Sequence, residues 1–235
     1  MLIQLSASHI SCKKRLDTLC RQLDSIRAQT IYAPFFLSIS TIPELYTEVR
    51  DRLEKYTDIN IHFRPDKLSQ FEHYALLAEF IDEDAWYIFC DDDDFCHPDR
   101  VKWYSENIEL YNGYDTIFPV DGTMSVYTEG SLEMTLDDFL EYERKFPETV
   151  SHTAFEYWMF STRACIFKQF FEINKNNIKN KFCDICFRNF LRTTNSKFIK
   201  SDTWLYAKTM DISFDHVSID LLCNLVLSSD KNLSK

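Results

Sequence analysis

The sequence predicts an α/β fold: three layers, with a mostly parallel central sheet between helices. Three observations carry this. Up to Cys90, short runs rich in β-branched and aromatic residues alternate with stretches of helical period, giving β-α-β-α-β-α-β. Strands separated by helices pair in parallel, because the crossover helix must lie back on a face of the sheet. The composition fills such a core: 45% of the 235 residues are hydrophobic and 15% are aromatic. Finally, the apolar run Trp86–Cys90 ends abruptly in four carboxylates, Asp91 to Asp94. Open parallel sheets bind ligands beyond the carboxyl ends of their strands.

The elements follow in order. Residues 2–8 form a first strand. Ser11 is placed to cap a helix whose buried stripe is Leu16, Leu19, Cys20, Leu23 and Ile26. Residues 35–40 are a second strand, and Pro43 opens a helix to about residue 56. Residues 59–63 are a third strand, stopped by Arg64-Pro65-Asp66-Lys67. Phe71, Tyr74, Ala75, Leu77, Ala78 and Ile81 mark a third helix, and Trp86–Cys90 a fourth strand. Pro98 starts the next helix, with Val101, Tyr104, Ile108 and Tyr111 inward. Residues 116–120 read as a strand, turned at Asp121-Gly122 into a hairpin partner at 125–128. Thr135 with Asp138 caps a helix to about Phe146.

Beyond this the alternation breaks. Residues 155–160 form an aromatic strand candidate, 162–173 a helix and 174–181 a loop. A further helix covers 182–193 and carries Asp184 near its start. Residues 204–208 are a late strand.

Composition excludes several classes. A net charge of −11 argues against a nucleic-acid backbone binder, which needs a basic face. Only three glycines occur, at 113, 122 and 130, so there is neither a P-loop nor a Gly-x-Gly-x-x-Gly fingerprint. The eight cysteines are scattered and read as free thiols. Cys183-Asp-Ile-Cys186 has half-zinc spacing, and the second half is missing. The start has no basic stretch followed by a long apolar run, and no run of about 20 apolar residues exists. A protein without signal or membrane span, in the cytoplasm, is expected.

The aspartates are the main chemical signal. Adjacent ionised carboxylates are costly to bury without a partner, and a divalent cation with oxygen ligands is the natural one. On an extended strand Asp91 and Asp93 share a face. A solvated acidic turn is the plain alternative. The ends of the first three strands, at Ser8-His9, at Ser40 and at Arg64 to Lys67, are expected on the same crevice.

With these residues in view, the chain resembles the nucleotide-sugar-dependent glycosyltransferases of the GT-A (Rossmann-like) fold, especially the inverting family 2-like enzymes. The resemblance rests on Lys14-Arg15-Leu16…Leu23-Asp-Ser25-Ile26-Arg-Ala-Gln29 after the first strand, and on Arg64-Pro-Asp66-Lys67 after the third. It rests also on Ile88-Phe-Cys-Asp91-Asp-Asp-Asp94…Pro98, similar to an Asp-x-Asp motif, and on Glu156-Tyr-Trp158 followed by Asp184.

The resemblance implies one domain over residues 1–235. Residues 1–120 would be the nucleotide-sugar-binding half, 121–228 an irregular acceptor-binding half and 229–235 a frayed tail. It implies Mn²⁺ or Mg²⁺ on Asp93, with Asp91 at metal or ribose and His216 completing the shell. Asp92 and Asp94 are secondary candidates, as ligands, donor contacts or loop supports. Asp184, with Glu156 second, would be the base that deprotonates the acceptor. Ser8, Arg15, Asp66 and Lys67 would meet the nucleotide.

The implied partners are a nucleoside-diphosphate sugar, a UDP-sugar by preference, and a glycan or other hydroxyl acceptor, with no nucleic acid. Tyr157, Trp158 and Trp204 are candidates for stacking on sugar rings. Two departures matter. Ser38-Ile-Ser40 stands where many members carry a carboxylate for the base, and the motif of processive synthases is absent, which favours single transfer. A metal-dependent nucleotidyltransferase or phosphohydrolase, or a silent sugar-nucleotide-binding module, are the competing classes.

Overall fold

The computed structural model describes residues 1–80, 84–120, 122–128, 159–180, 183–202 and 204–211. The first half follows the expected alternation: β1 (Leu2–Ile10), α1 (Lys13–Arg27), β2 (Phe35–Thr41), α2 (Tyr46–Leu53), β3 (Asn60–Arg64), α3 (Gln70–Ala78) and β4 (Trp86–Cys90). A short 3-10 turn, Pro43–Leu45, takes the start expected for α2. Then come β5 (Phe95–Cys96), α4 (Arg100–Leu110), β6 (Thr116–Val120), β7 (Thr123–Thr128), β8 (Ser161–Arg163), α5 (Ala164–Asn174), α6 (Cys183–Thr193), β9 (Ser196–Lys200) and β10 (Tyr206–Asp211).

The main sheet has seven strands in the order β3-β2-β1-β4-β8-β6-β9. β1 pairs in parallel with β2 and β4, β2 with β3, and β6 with β9. Only β8 is reversed among these, antiparallel to both β4 and β6. The sheet is therefore mostly parallel, as expected. A second sheet, β5-β10-β7, sits beyond the end of β4.

β4 explains the layering. Its side chains alternate, and all five residues are buried. Tyr87 and Phe89 meet Phe167 of α5, at ring distances of 5.5 and 5.1 Å, while Phe89 also meets Tyr74 of α3 and Phe187 of α6. Ile88, pointing the other way, packs with Val101 and Tyr104 of α4. A strand buried on both faces needs a continuous apolar run, and Trp86–Cys90 is one. On β1 the alternation is polar against apolar: Gln4, Ser6 and Ser8 are buried toward the α1 side, where Gln22 of α1 donates to Ser6 Oγ at 3.4 Å.

Several expectations are corrected. α1 is capped at Cys12, not Ser11, without a side-chain cap bond. α4 starts at Arg100, and Pro98 precedes it. β7 is not the hairpin partner of β6; it pairs in parallel with β10, Thr123 opposite Tyr206. The chain leaves the main sheet at Gly122, whose carbonyl accepts the Leu205 and Tyr206 N–H groups, and that long-range pairing outcompetes the local hairpin. The late strand begins at Tyr206, and Trp204 lies buried before it with its ring 4.7 Å from that of His97. It is a core residue, unavailable for stacking on a sugar. β9 and β5 had no assignment from sequence. The helix over 135–146, most of the aromatic strand at 155–160, Tyr157, Trp158, Glu156 and His216 lie outside the described residues.

Candidate active site

In the main sheet β2 and β3 lie to one side of β1, and β4 to the other. The connections thus diverge between β1 and β4, and their carboxyl ends border a crevice. Ser8 and His9 come from β1, and the acidic stretch follows β4 directly.

The acidic stretch is a tight turn, not the extended strand that motivated pairing Asp91 with Asp93. The Asp94 N–H reaches the Asp91 carbonyl at 3.4 Å. The turn divides the carboxylates. Asp92 is buried and faces back under β1, taking a hydrogen bond from Ser8 Oγ and a two-pronged one from Arg15, Nε to Oδ2 at 3.1 Å and Nη2 to Oδ1 at 2.9 Å. The Asp92 charge raises the Arg15 pKa further, so the guanidinium stays charged throughout the working range. Asp91, Asp93 and Asp94 each offer an oxygen, all within 4.8 Å of one another. Asp93 is exposed, Asp91 half-buried and Asp94 buried. Three hard oxygen donors from a four-residue turn, open to solvent on one side, fit a divalent cation that keeps positions for substrate oxygens.

The turn is held from outside by residues that no local motif announced. Gln70 Nε2, at the start of α3, donates to Asp91 Oδ1 at 3.0 Å. Gln22 Nε2 donates to the Asp91 carbonyl at 2.5 Å, and Ser25 Oγ accepts the Cys96 N–H at 3.1 Å. The Asp91 N–H donates to the Tyr206 hydroxyl at 2.6 Å. Gln22 did leave a trace in the sequence. It lies three residues after Leu19 and four before Ile26, on the apolar stripe of α1, where a buried amide needs partners.

Beside the acidic turn two cations act on His9: Lys67, and Arg15 in its pair with Asp92. His9, whose Nδ1 is 2.9 Å from Ser40 Oγ, has its pKa lowered by burial and then by the charges of Lys67 and Arg15. Lys67 and Arg15 thus act on one spot at the end of β1. Deeper in, Ser38 and Ser40 bond the two ring nitrogens of His73 at 2.8 and 3.2 Å, and Arg64 Nε donates to Ser38 Oγ at 3.0 Å. Burial, reinforced by Arg64, pushes His73 down to about 4, so it is neutral. A neutral serine-histidine network therefore occupies the end of β2, where a carboxylate is missing.

Of the residues singled out from sequence, Ser8, Arg15, Asp91, Asp92 and Asp93 come together around the turn, and Lys67 joins them electrostatically. Asp66 is exposed in the loop after β3. Asp184 is half-buried in the first turn of α6, the helix whose Phe187 packs 5.4 Å from Phe89.

The strand order gives the chain a GT-A-type, Rossmann-like α/β/α fold. The chain superposes on S. aureus TarS 1-349 with a TM-score of 0.60 and 11% identity, over 88% of this chain and 60% of that one. The TM-score is 0.54 for the same protein in complex with UDP-GlcNAc (10% identity, 89% and 59% covered). It is 0.53 for the complex with UDP (10% identity, 89% and 61% covered). At such identities the likeness is one of fold. The chain spans about three fifths of the length of these structures. No family model and no curated protein matches the sequence. No helix among the described residues is long and apolar enough to cross a membrane.

Proposed function

We propose that the chain is a metal-dependent glycosyltransferase that takes a sugar from a nucleoside-diphosphate donor to a hydroxyl acceptor, with inversion. The observation that carries this reading is the carboxylate trio Asp91, Asp93 and Asp94 at the β1–β4 crevice of a GT-A-type sheet. These three residues would hold Mn²⁺ or Mg²⁺. The bound ion supplies Lewis-acid stabilisation of the negative charge that develops on the diphosphate leaving group.

The protein's own groups divide the rest of the work. Arg15, tied to Asp92, and Lys67 present positive charge toward the donor phosphates and favour the charged leaving group electrostatically. Asp184 is the candidate base that accepts the acceptor hydroxyl proton as that oxygen attacks the anomeric carbon, with Glu156 the alternative. Attack from the face opposite the departing diphosphate inverts the anomeric centre. A UDP-sugar is the first donor to test, supported by the UDP-GlcNAc and UDP complexes of the TarS neighbour.

The test is transfer from UDP-, GDP- and dTDP-sugars with Mn²⁺ to a panel of glycan acceptors, following nucleoside diphosphate release and product mass. The metal's share is several kcal/mol, so Asp93→Ala and Asp94→Asn should each lower turnover at least about 100-fold while remaining folded. Full activity in both variants would remove the metal from the mechanism. Release of pyrophosphate or phosphate would point instead to nucleotidyl transfer or hydrolysis.

A further inference from the structure

Arg100 is fully buried, at 0% exposure, directly behind the acidic turn. Its Nη2 donates to the Phe89 carbonyl at 2.6 Å, and Nη1 to Cys90 Sγ at 2.9 Å and Cys96 Sγ at 3.5 Å. One guanidinium therefore grips the last two residues of β4 and the second residue of β5, the two ends of the segment that carries Asp91 to Asp94. Its planar face lies 4.6 Å from the Tyr206 ring, with the Tyr104 ring at 5.5 Å. Tyr206 stands opposite Cys96 in the β5–β10 pairing, and its hydroxyl accepts the Asp91 N–H.

Removing a guanidinium from water costs several kcal/mol, so a neutral apolar residue would pack this space more cheaply. What the arginine adds is direction: a fixed fork and a flat face that lock the turn's ends and the tyrosine above it. Three carboxylate oxygens within 4.8 Å of one another repel, and a loose turn would splay them.

We propose that Arg100 and Tyr206 are positioning residues that hold the Asp91–Asp94 turn in cation-gripping form. Arg100 clamps its ends, and Tyr206 fixes the Asp91 backbone. The proposal rests on the reading of Asp91, Asp93 and Asp94 as cation ligands.

The test is Mn²⁺ binding to the whole chain without nucleotide, read from the free-Mn²⁺ EPR signal, alongside turnover. Tyr206→Phe keeps the ring on Arg100 and removes only the oxygen over Asp91. Outer-shell partners of metal ligands typically account for about 10–100-fold in affinity. Tyr206→Phe should therefore weaken Mn²⁺ binding about tenfold with native circular dichroism, and excess Mn²⁺ should restore its kcat. Arg100→Lys, which cannot reach both ends of the turn, should weaken binding at least as much. Leu53→Ala, a cavity in buried α2, serves as the control: it should lower stability and leave Mn²⁺ affinity unchanged.

Wild-type affinity in both Tyr206→Phe and Arg100→Lys would overturn the proposal. So would an equal loss in Leu53→Ala, which would assign the effect to general loosening. A wild-type chain that binds no Mn²⁺ would overturn the cation reading itself, a result distinct from either.

Discussion

Asp92 and Asp93 are neighbours in the chain with opposite surroundings. Asp92 is clasped by Arg15 and Ser8, 77 and 84 positions away, while Asp93 faces solvent. Nothing local separates them, because what distinguishes them is which strand end lies behind the turn. His73 is a similar case. Its burial beside Ser38, Ser40 and Arg64 lowers its pKa to about 4, below the ordinary histidine value of 6.5. The unfolded chain then binds the proton more readily than the folded one. Stability from this residue is fully present above pH ~6.5 and is lost as the pH falls toward 4, on the order of 3 kcal/mol. Urea unfolding at pH 7.5 and pH 5 should show about 2 kcal/mol of that loss, and His73→Asn should flatten it. An unchanged pH slope in the variant would assign the loss elsewhere, His9 being next because its pKa is also lowered.

α1 does two jobs with one helix. Leu16, Leu19, Leu23 and Ile26 bury its core stripe, while Arg15, Gln22 and Ser25 each reach the acidic turn or its flank. Residues 15, 22 and 25 recur at helical spacing, so one row faces the loop. The stripe was readable from periodicity; what the loop-facing row holds was not, since its partners Asp91, Asp92 and Cys96 lie in the acidic turn and β5. The aromatic cluster shows the complementary side. Phe187 of α6 has the rings of Phe71, Phe89, Phe167 and Phe170 at 5.5, 5.4, 5.1 and 4.8 Å. It joins α3, β4, α5 and α6 on one face of the sheet. Phe187→Ala should cost about 3–5 kcal/mol in urea unfolding, and a change under 1 kcal/mol would show that the cluster can collapse around the gap.

For the whole molecule the decisive feature is the order β3-β2-β1-β4, which opens the crevice where the acidic turn and the cationic pair meet. A donor that bridges them through a cation binds only the folded chain. At about 100 times its Kd, a UDP-sugar with Mn²⁺ should add about 2.7 kcal/mol to unfolding, visible as a rise in Tm, and EDTA should abolish most of it. GDP- and dTDP-sugars in the same assay test whether the serine-histidine network at the end of β2 sets a base preference.

The linear chain was enough to determine the βα alternation, the buried strand Trp86–Cys90 and the carboxylates at its end, because hydrophobic period and abrupt charge are local properties. Tertiary structure alone decided that Asp94 joins Asp91 and Asp93 while Asp92 turns to Arg15. It also decided that β7 joins β10, and that Tyr206, 115 positions downstream, holds Asp91. Those outcomes depend on which distant groups satisfy a buried charge or a backbone N–H, and that pairing exists only once the sheet has brought them together.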